Sequence, residues 1–150
     1  MAEYTYNPIQ LVPAGSAVIF NDSLSCPKGY VYHRNESGLV ILRGIVNGCG
    51  KFARYQVTFN SNIAVPEDGT SGAISVSLAV DGEPVLTSRA IVTPAAVDEY
   101  FNVTSTAIID VPKGCCFSLA VENTSVGETT ADPAPAINVQ NANLVISRIA

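Results

Sequence analysis

The chain has 150 residues, the length of a single domain, and 8 Lys and Arg against 13 Asp and Glu give it a net charge of −5. This acidic balance argues against nucleic-acid binding, which needs a basic surface that follows the phosphates. Hydrophobic residues make up 47% of the chain but charged residues only 14%, well below the roughly 25% usual in soluble domains. So few charges favour sizeable subunit interfaces over a monomer with a neutral surface.

The first residues, "MAEYTYNPIQLVP", do not show a pattern that would bury them in a folded domain. We therefore predict an N-terminal arm or edge strand at 1–12 and a single domain at 13–150. Tyr4, Tyr6 and Ile9 are candidates for anchoring such an arm on a larger particle, and a disordered terminus is the alternative. The segment lacks the basic and apolar regions of a secretory leader, and no run of 18 apolar residues predicts a membrane span.

The chemistry-bearing residues of the chain are few and scattered. His33, the only histidine, lies in "YVYHRNESG", where a polar turn with an Arg34–Glu36 ion pair is favoured over a general base because no nucleophile motif accompanies it. Paired acids in turns, such as Glu67 and Asp68, match no calcium-loop spacing and are expected to be solvated. We predict no catalytic, cofactor-binding or metal-binding residues.

Apolar and polar side chains alternate along most of the chain with a period of two, the period of a half-buried strand. In "ARYQVTFN", Tyr55, Val57 and Phe59 share one face, and "YFNVTSTAIIDV" alternates in the same way. In "GAISVSLAV" the polar face carries Ser75 and Ser77, and the following Asp-Gly pair favours a tight hairpin. No stretch has a convincing helical period. About eight to ten short strands therefore predict an antiparallel sandwich or barrel.

Two adjacent cysteines occur in "KGCCFSLAVENTS". The strand period places Cys115 on the core face with Phe117 and Leu119, as a small apolar residue, and Cys116 on the opposite face. Their side chains would diverge, and the chain lacks the four Cys and His ligands of a zinc site. Cys26 and Cys49 lie in Gly- and Pro-rich loops and are a candidate disulfide, although both would remain thiols in a reducing cytosol.

Two strands, "GLVILRGIV" and "NANLVISRIA", are apolar on both faces. Such strands must be covered on both sides, by the core on one and by another layer or subunit on the other. We predict a subunit interface along 39–46 and 143–149, with Leu42, Leu144 and Ile146 as candidates. A register shift of one residue would exchange the two faces.

The "VDGEP" hairpin, the "NVTSTAIIDVPKGCCFSLAVENTS" pair and the closing "INVQNANLVISRIA" resemble the tumour necrosis factor/complement-type jelly roll in its bacterial and phage versions. The likeness covers about Leu11 to Ala150. It implies an all-β, antiparallel jelly-roll sandwich that forms a homotrimer with its last strand near the threefold axis. No residue in these motifs is catalytic, and the chain lacks the collagen-like stalk of some relatives, which favours a free-standing knob.

The resemblance further implies a non-enzymatic structural protein, a capsid decoration or head-fibre knob of a tailed phage. Its partners would be its own copies and the major capsid protein, with no nucleic acid, membrane or cofactor. It would lie on the capsid surface of the virion after assembly in the bacterial cytoplasm. The alternative is a ligand-binding module of the same fold that recognises a glycan or a host surface.

Overall fold

The structure is a computed structural model that describes residues 1–24, 29–127 and 133–150. These residues form strands joined by turns, with one 3-10 turn at Leu86–Ser88. The strands are β1 (Ala2–Tyr6), β2 (Gln10–Val12), β3 (Asp22–Ser23), β4 (Val31–His33), β5 (Val40–Arg43), β6 (Phe52–Ala64), β7 (Ile74–Val80), β8 (Glu83–Pro84), β9 (Ala90–Val92), β10 (Phe101–Pro112), β11 (Cys116–Asn123) and β12 (Ile137–Arg148).

The strands form two antiparallel sheets that pack face to face. The first sheet has the order β10-β6-β12-β1-β3, with β2 also paired to β12. The second has the order β4-β5-β11-β7-β8, with β9 also paired to β7. Most spatial neighbours are distant in sequence, because the chain crosses between the sheets before it returns, as in a jelly roll. The predicted fold class is confirmed.

The longest strands are those with the clearest alternation in sequence. Along β6 the inward side chains of Tyr55, Val57 and Phe59 are fully buried, and the residues between them face away from the core. β10 repeats this pattern beside β6 over twelve paired positions. Since each strand contributes one apolar row, burying both rows between the sheets supplies the main stabilisation of the fold.

β7 departs from the prediction, because both of its faces are buried. Ile74, Val76 and Leu78 enter the core as expected, but Ser75 and Ser77 on the other face are also buried. The Ser75 hydroxyl lies 2.9 Å from the hydroxyl of Thr124 and accepts a 3.1 Å hydrogen bond from Arg89 Nε. Small side chains in the middle of a sheet are readily covered by longer neighbours, so alternation alone overestimated their exposure.

Candidate interaction face and loop-end depression

The outer surface of the first sheet is a broad face built from four neighbouring strands, which we call the polar face. Register and burial place the outward side chains of β10, β6, β12 and β1 on it. Its members are Asn102, Thr104, Thr106, Ile108 and Asp110 of β10; Arg54, Gln56, Thr58, Asn60 and Asn62 of β6; Asn143, Val145 and Ser147 of β12; and Glu3 and Thr5 of β1. Amides and hydroxyls dominate, and charges occur at only three positions.

A network of side-chain hydrogen bonds fixes the amides between β6 and β10. The Asn102 amide nitrogen donates to the side-chain oxygens of Asn60, at 2.8 Å, and Asn62, at 3.2 Å. The Thr104 hydroxyl donates to the same Asn60 oxygen at 3.3 Å. Further along, the hydroxyls of Thr58 and Thr106 lie 3.2 Å apart. Cross-strand pairs of this kind hold polar side chains in one geometry, so the surface is ordered before any partner arrives.

The amide row continues across the sheet at an irregularity in β12. The β6–β12 register shifts between Gln140 and Asn143, and Asn141 adopts a positive φ of 54°. Asn tolerates this left-handed conformation better than most residues, and the extra residue is a β-bulge. The bulge brings the Asn141 side-chain oxygen within 3.3 Å of the Asn62 amide nitrogen. On the far side, Asn143 donates to Glu3 Oε1 at 2.7 Å.

One ion pair marks an end of the polar face. Arg54 Nε and the second guanidinium nitrogen donate to the two carboxylate oxygens of Asp110 at 2.7 and 2.8 Å, a bidentate arrangement. The Arg54 guanidinium also lies 4.9 Å from the ring centre of Phe52. The hydrogen bond from Arg54 lowers the pKa of Asp110 below its ordinary value.

We expect Asp110→Asn to reduce stability by a small amount at neutral pH, because exposed ion pairs contribute little. When folding lowers the pKa of a carboxyl, that carboxyl stabilises the fold at pH values above its pKa in the unfolded chain. The stabilisation is lost as the pH falls through its pKa in the folded protein. The difference in unfolding free energy between the wild type and Asp110→Asn should therefore vanish in acid. Urea denaturation at a series of pH values measures it. A difference that persists below the folded pKa would contradict the assignment.

The predicted interface residues do not reach this face. Leu42, Leu144 and Ile146 are fully buried in the core between the sheets, so they cannot line an interface while the sandwich is intact. Their neighbours Ile41 and Val145 point outward and are partly exposed. The face assignment was therefore wrong by one residue. Where apolar residues follow one another, the sequence does not show which of them face the core. The bulge in β12 also shifts the alternation of inward and outward residues.

The predicted arm is largely part of the fold. β1 lies between β12 and β3 in the first sheet, and Tyr4 is only 2% exposed. Tyr6 packs partly buried against the core. Ile9 is 53% exposed and remains available to a partner. Anchoring by Tyr4 is therefore wrong, since its ring is enclosed by the chain's own core.

The cysteine prediction was wrong for Cys115. Cys115 and Cys116 are exposed free thiols, and Cys49 is exposed. β11 begins at Cys116, while Cys115 ends a turn in which its amide donates to the Pro112 carbonyl at 3.1 Å. Cys26 lies outside the described residues, so its pairing with Cys49 stays a prediction.

Because Cys115 is exposed, we expect Cys115→Ala to change the free energy of unfolding by less than about 0.5 kcal/mol. Chemical denaturation of the two proteins measures this change. Native Cys115 and Cys116 should also react with a thiol reagent without prior unfolding. A stability loss of about 1 kcal/mol or more, or a Cys115 thiol that reacts only after denaturation, would instead support the buried position that the alternation predicted.

His33 ends β4 and is partly buried at the edge of the sandwich, not in a polar turn. Its ring is 4.6 Å from that of Tyr4 and 6.4 Å from that of Phe20, measured between centroids. Arg34 and Glu36 are exposed, and no ion pair joins them in the part of the chain that the structure describes. Within the same part, no group of three His, Cys, Asp or Glu side chains could hold a metal ion, and no helix could cross a membrane.

A second feature is a depression of about 470 Å³ between the loops at one end of the sandwich. Buried Asn123 is not among the described residues of the lining, but it is hydrogen-bonded to Pro135, which is one of them. The Asn123 amide nitrogen donates to the carbonyls of Val12 and Pro135, both at 2.9 Å, and its side-chain oxygen accepts from Ser125 N at 3.0 Å. The lining is mostly glycine, proline and small apolar residues: Leu11, Pro66, Asp68, Gly69, Thr70, Ser71, Gly72, Ala73, Val126, Gly127, Pro133, Ala134, Pro135 and Ala136.

The fold is similar to that of known structures. The globular domain of zebrafish complement 1qA protein matches with a TM-score of 0.56 at 16% identity, over 99% of this chain and 97% of that chain. Weaker matches are the C-terminal domain of EclA, a sugar-binding protein (TM-score 0.36, 21% identity, 81% and 87% coverage), and CBM35 from Cellvibrio japonicus Abf62 (0.28, 14%, 95% and 99%). No protein-family model and no curated protein matches. The chain thus has the jelly-roll fold of the complement 1q globular domain.

Proposed function

We propose that the protein is a non-enzymatic structural module whose copies associate through the polar face into a homotrimeric knob. The observation that carries this proposal is the chemistry of the polar face. It is a four-strand surface of ordered amides and hydroxyls, with its charges at the margins and the partly exposed apolar side chains of Ile108 and Val145 within it.

Such a surface is suited to association because few charges need to lose their hydration. Interface centres are depleted in charged residues, and buried amides are favourable only when they find partners. The internal hydrogen bonds of Asn60, Asn102 and Asn62 already fix three of these amides, which lowers the conformational entropy lost on association. Ile108, 55% exposed at the middle of the edge strand β10, adds apolar area.

A trimer agrees with the resemblance of the sequence to the jelly-roll family and with the position of β12. A closed ring of three copies is a heterologous assembly, so one part of the polar face would meet a different part of the polar face on the next copy. β12 lies inside the first sheet and exposes Asn143, Val145 and Ser147 on the polar face. Its outward side is therefore available for the axis of the ring.

The larger particle that we propose is the capsid of a tailed phage, with the protein on its surface and the major capsid protein as its partner. The family resemblance is the support for this assignment. The 7–9 loop is the remaining attachment candidate of the N-terminal segment, because Ile9 is exposed whereas Tyr4 is not.

The capsid assignment is tested with capsids of the phage that encodes the chain. We expect the purified protein to co-sediment with them and Ile9→Ser to weaken the binding. Leu86→Ser, which alters an exposed apolar residue outside the N-terminal segment, is the matched control. Absence of the protein from virions by mass spectrometry, with no co-sedimentation, would contradict this assignment while leaving the homotrimer untouched.

A ligand-binding function is the second candidate, and the loop-end depression is the observation that favours it. Its volume is within the range of small-molecule sites, and Asp68 supplies a carboxylate among the described residues of its lining. A glycan array would test it: a hit that Asp68→Asn abolishes, and that Asp81→Asn in the β7–β8 turn leaves intact, supports a glycan site at this end. An array without hits would count against it.

A further inference from the structure

A separate pocket of about 300 Å³ opens at the edge of the sandwich where β3 and β4 end their sheets. This edge is opposite to β10, so the pocket does not depend on the proposed assembly. Its lining residues are Tyr4, Ser23, Gly29, Val31, Tyr32, His33 and Arg43. Two of them carry buried polar atoms that are unusual for the interior of a folded domain.

The first is the hydroxyl of Tyr4. The side chain is buried, and its oxygen has no hydrogen-bond partner among the described residues. Burial raises the pKa of this phenol, so the group is a neutral hydroxyl that can both donate and accept. A buried hydroxyl without a partner destabilises the fold, and most such groups are satisfied by protein, water or ligand.

The second is Nδ1 of His33. The other ring nitrogen, Nε2, lies 2.9 Å from the carbonyl oxygen of Ser37. A carbonyl can only accept, so Nε2 carries the proton, and Nδ1 of the neutral ring is an acceptor. Nδ1 is buried and has no partner in the described part of the chain. Two lining residues whose ring centroids are 4.6 Å apart therefore carry a buried acceptor and a buried hydroxyl without partners among the described residues.

The third element is a positive charge. Arg43 is exposed and is the one arginine among the described residues of the lining, which include no Asp or Glu. Its backbone carbonyl accepts a hydrogen bond from the Tyr55 hydroxyl, which holds this end of β5 against the core. An arginine favours carboxylates through bidentate hydrogen bonds. In a chain of net charge −5, a pocket with a cation and no acid is set apart electrostatically from the rest of the surface.

We propose that this pocket binds a small hydroxylated carboxylate, specifically a sugar acid, whose carboxylate pairs with Arg43 while its hydroxyls bond to Tyr4 and His33. One sugar hydroxyl can donate to His33 Nδ1, and a second sugar hydroxyl can accept from the Tyr4 hydroxyl. Both protein atoms lie beneath the pocket wall, so binding requires a side-chain rearrangement, which is favoured because it satisfies them. Tyr32, 58% exposed at the rim, offers an aromatic surface to the sugar ring.

Isothermal titration with D-glucuronate tests the site, with D-glucose as the neutral probe of matched shape and acetate as the simple carboxylate. We expect glucuronate to bind at least tenfold more tightly than either. Arg43→Gln should remove this preference, whereas Arg34→Gln, at an exposed arginine outside the pocket lining, should retain it. No binding of glucuronate, or equal binding of glucose or acetate, would overturn the proposal.

Thermal unfolding of Tyr4→Phe gives a second readout. Without ligand, this variant should be as stable as the wild type or more so, because it removes an unsatisfied hydroxyl. With glucuronate, the melting temperature of the wild type should rise more than that of the variant. A destabilised variant in the absence of ligand would mean that the hydroxyl is already satisfied by buried water, and the proposal would fail.

Discussion

Replacing Ile146 with Asp should prevent stable folding. Ile146 is fully buried in the core, paired with Val57 of β6 and Ala2 of β1. An unpaired carboxylate there would lose its hydration, and we expect a destabilisation of at least about 4 kcal/mol, a large part of the roughly 5–15 kcal/mol that stabilises most domains. Urea denaturation followed by circular dichroism measures the loss, and soluble expression shows the extreme case.

Two companion variants make this prediction decisive. Ile146→Val removes one methylene group and should cost about 1 kcal/mol, which remains measurable if the Asp variant does not fold. Val145→Asp alters the adjacent residue, which points outward, and should leave the fold intact. If Val145→Asp unfolds the chain and Ile146→Asp does not, the register of β12 is shifted by one residue from the one described here.

Val145→Asp should instead dissociate the assembly. Val145 lies opposite Thr58 on the polar face, so its carboxylate would be buried between copies without a partner. Such a charge should weaken each contact by roughly 2–5 kcal/mol, which raises Kd at least about thirtyfold. Light scattering across a concentration series measures the change in mass.

The matched control is Ile41→Asp. Ile41 is also partly exposed and β-branched, but it lies on the outer side of the second sheet. We expect this variant to keep both the fold and the assembly. If Ile41→Asp dissociates the copies and Val145→Asp does not, the interface lies on the second sheet and the polar face has another role.

Much of the fold could be predicted because its strands are amphipathic. The alternation of Tyr55, Val57 and Phe59 identified β6 and its core face, and β10 was equally clear. β1 was predicted only as an arm or edge strand, although Ala2 and Tyr4 alternate with polar residues. The strand is short, and its partner β12 lies at the other end of the chain, so local sequence could not show that it enters the sheet.

The candidate sites depended on information that local sequence does not contain. The amide row joins Asn60, Asn62, Asn102 and Asn141 from three strands, and only pairing and the bulge align them. Cys115 was misplaced because the turn that begins at "PKG" continues through it, and no residue marks where β11 starts. The edge pocket joins Tyr4, His33 and Arg43 from separate strands. The sequence also cannot show that a polar atom, such as the Tyr4 hydroxyl, is buried without a partner until the core around it is known.

The mass of the native protein in solution tests the central claim most directly. Sedimentation equilibrium at micromolar concentrations should give three times the mass of one chain. Val145→Asp should give a smaller mass with unchanged circular dichroism. A wild-type protein that remains a monomer throughout this range, with the jelly-roll fold intact, would contradict the assignment of the polar face as an interface between copies.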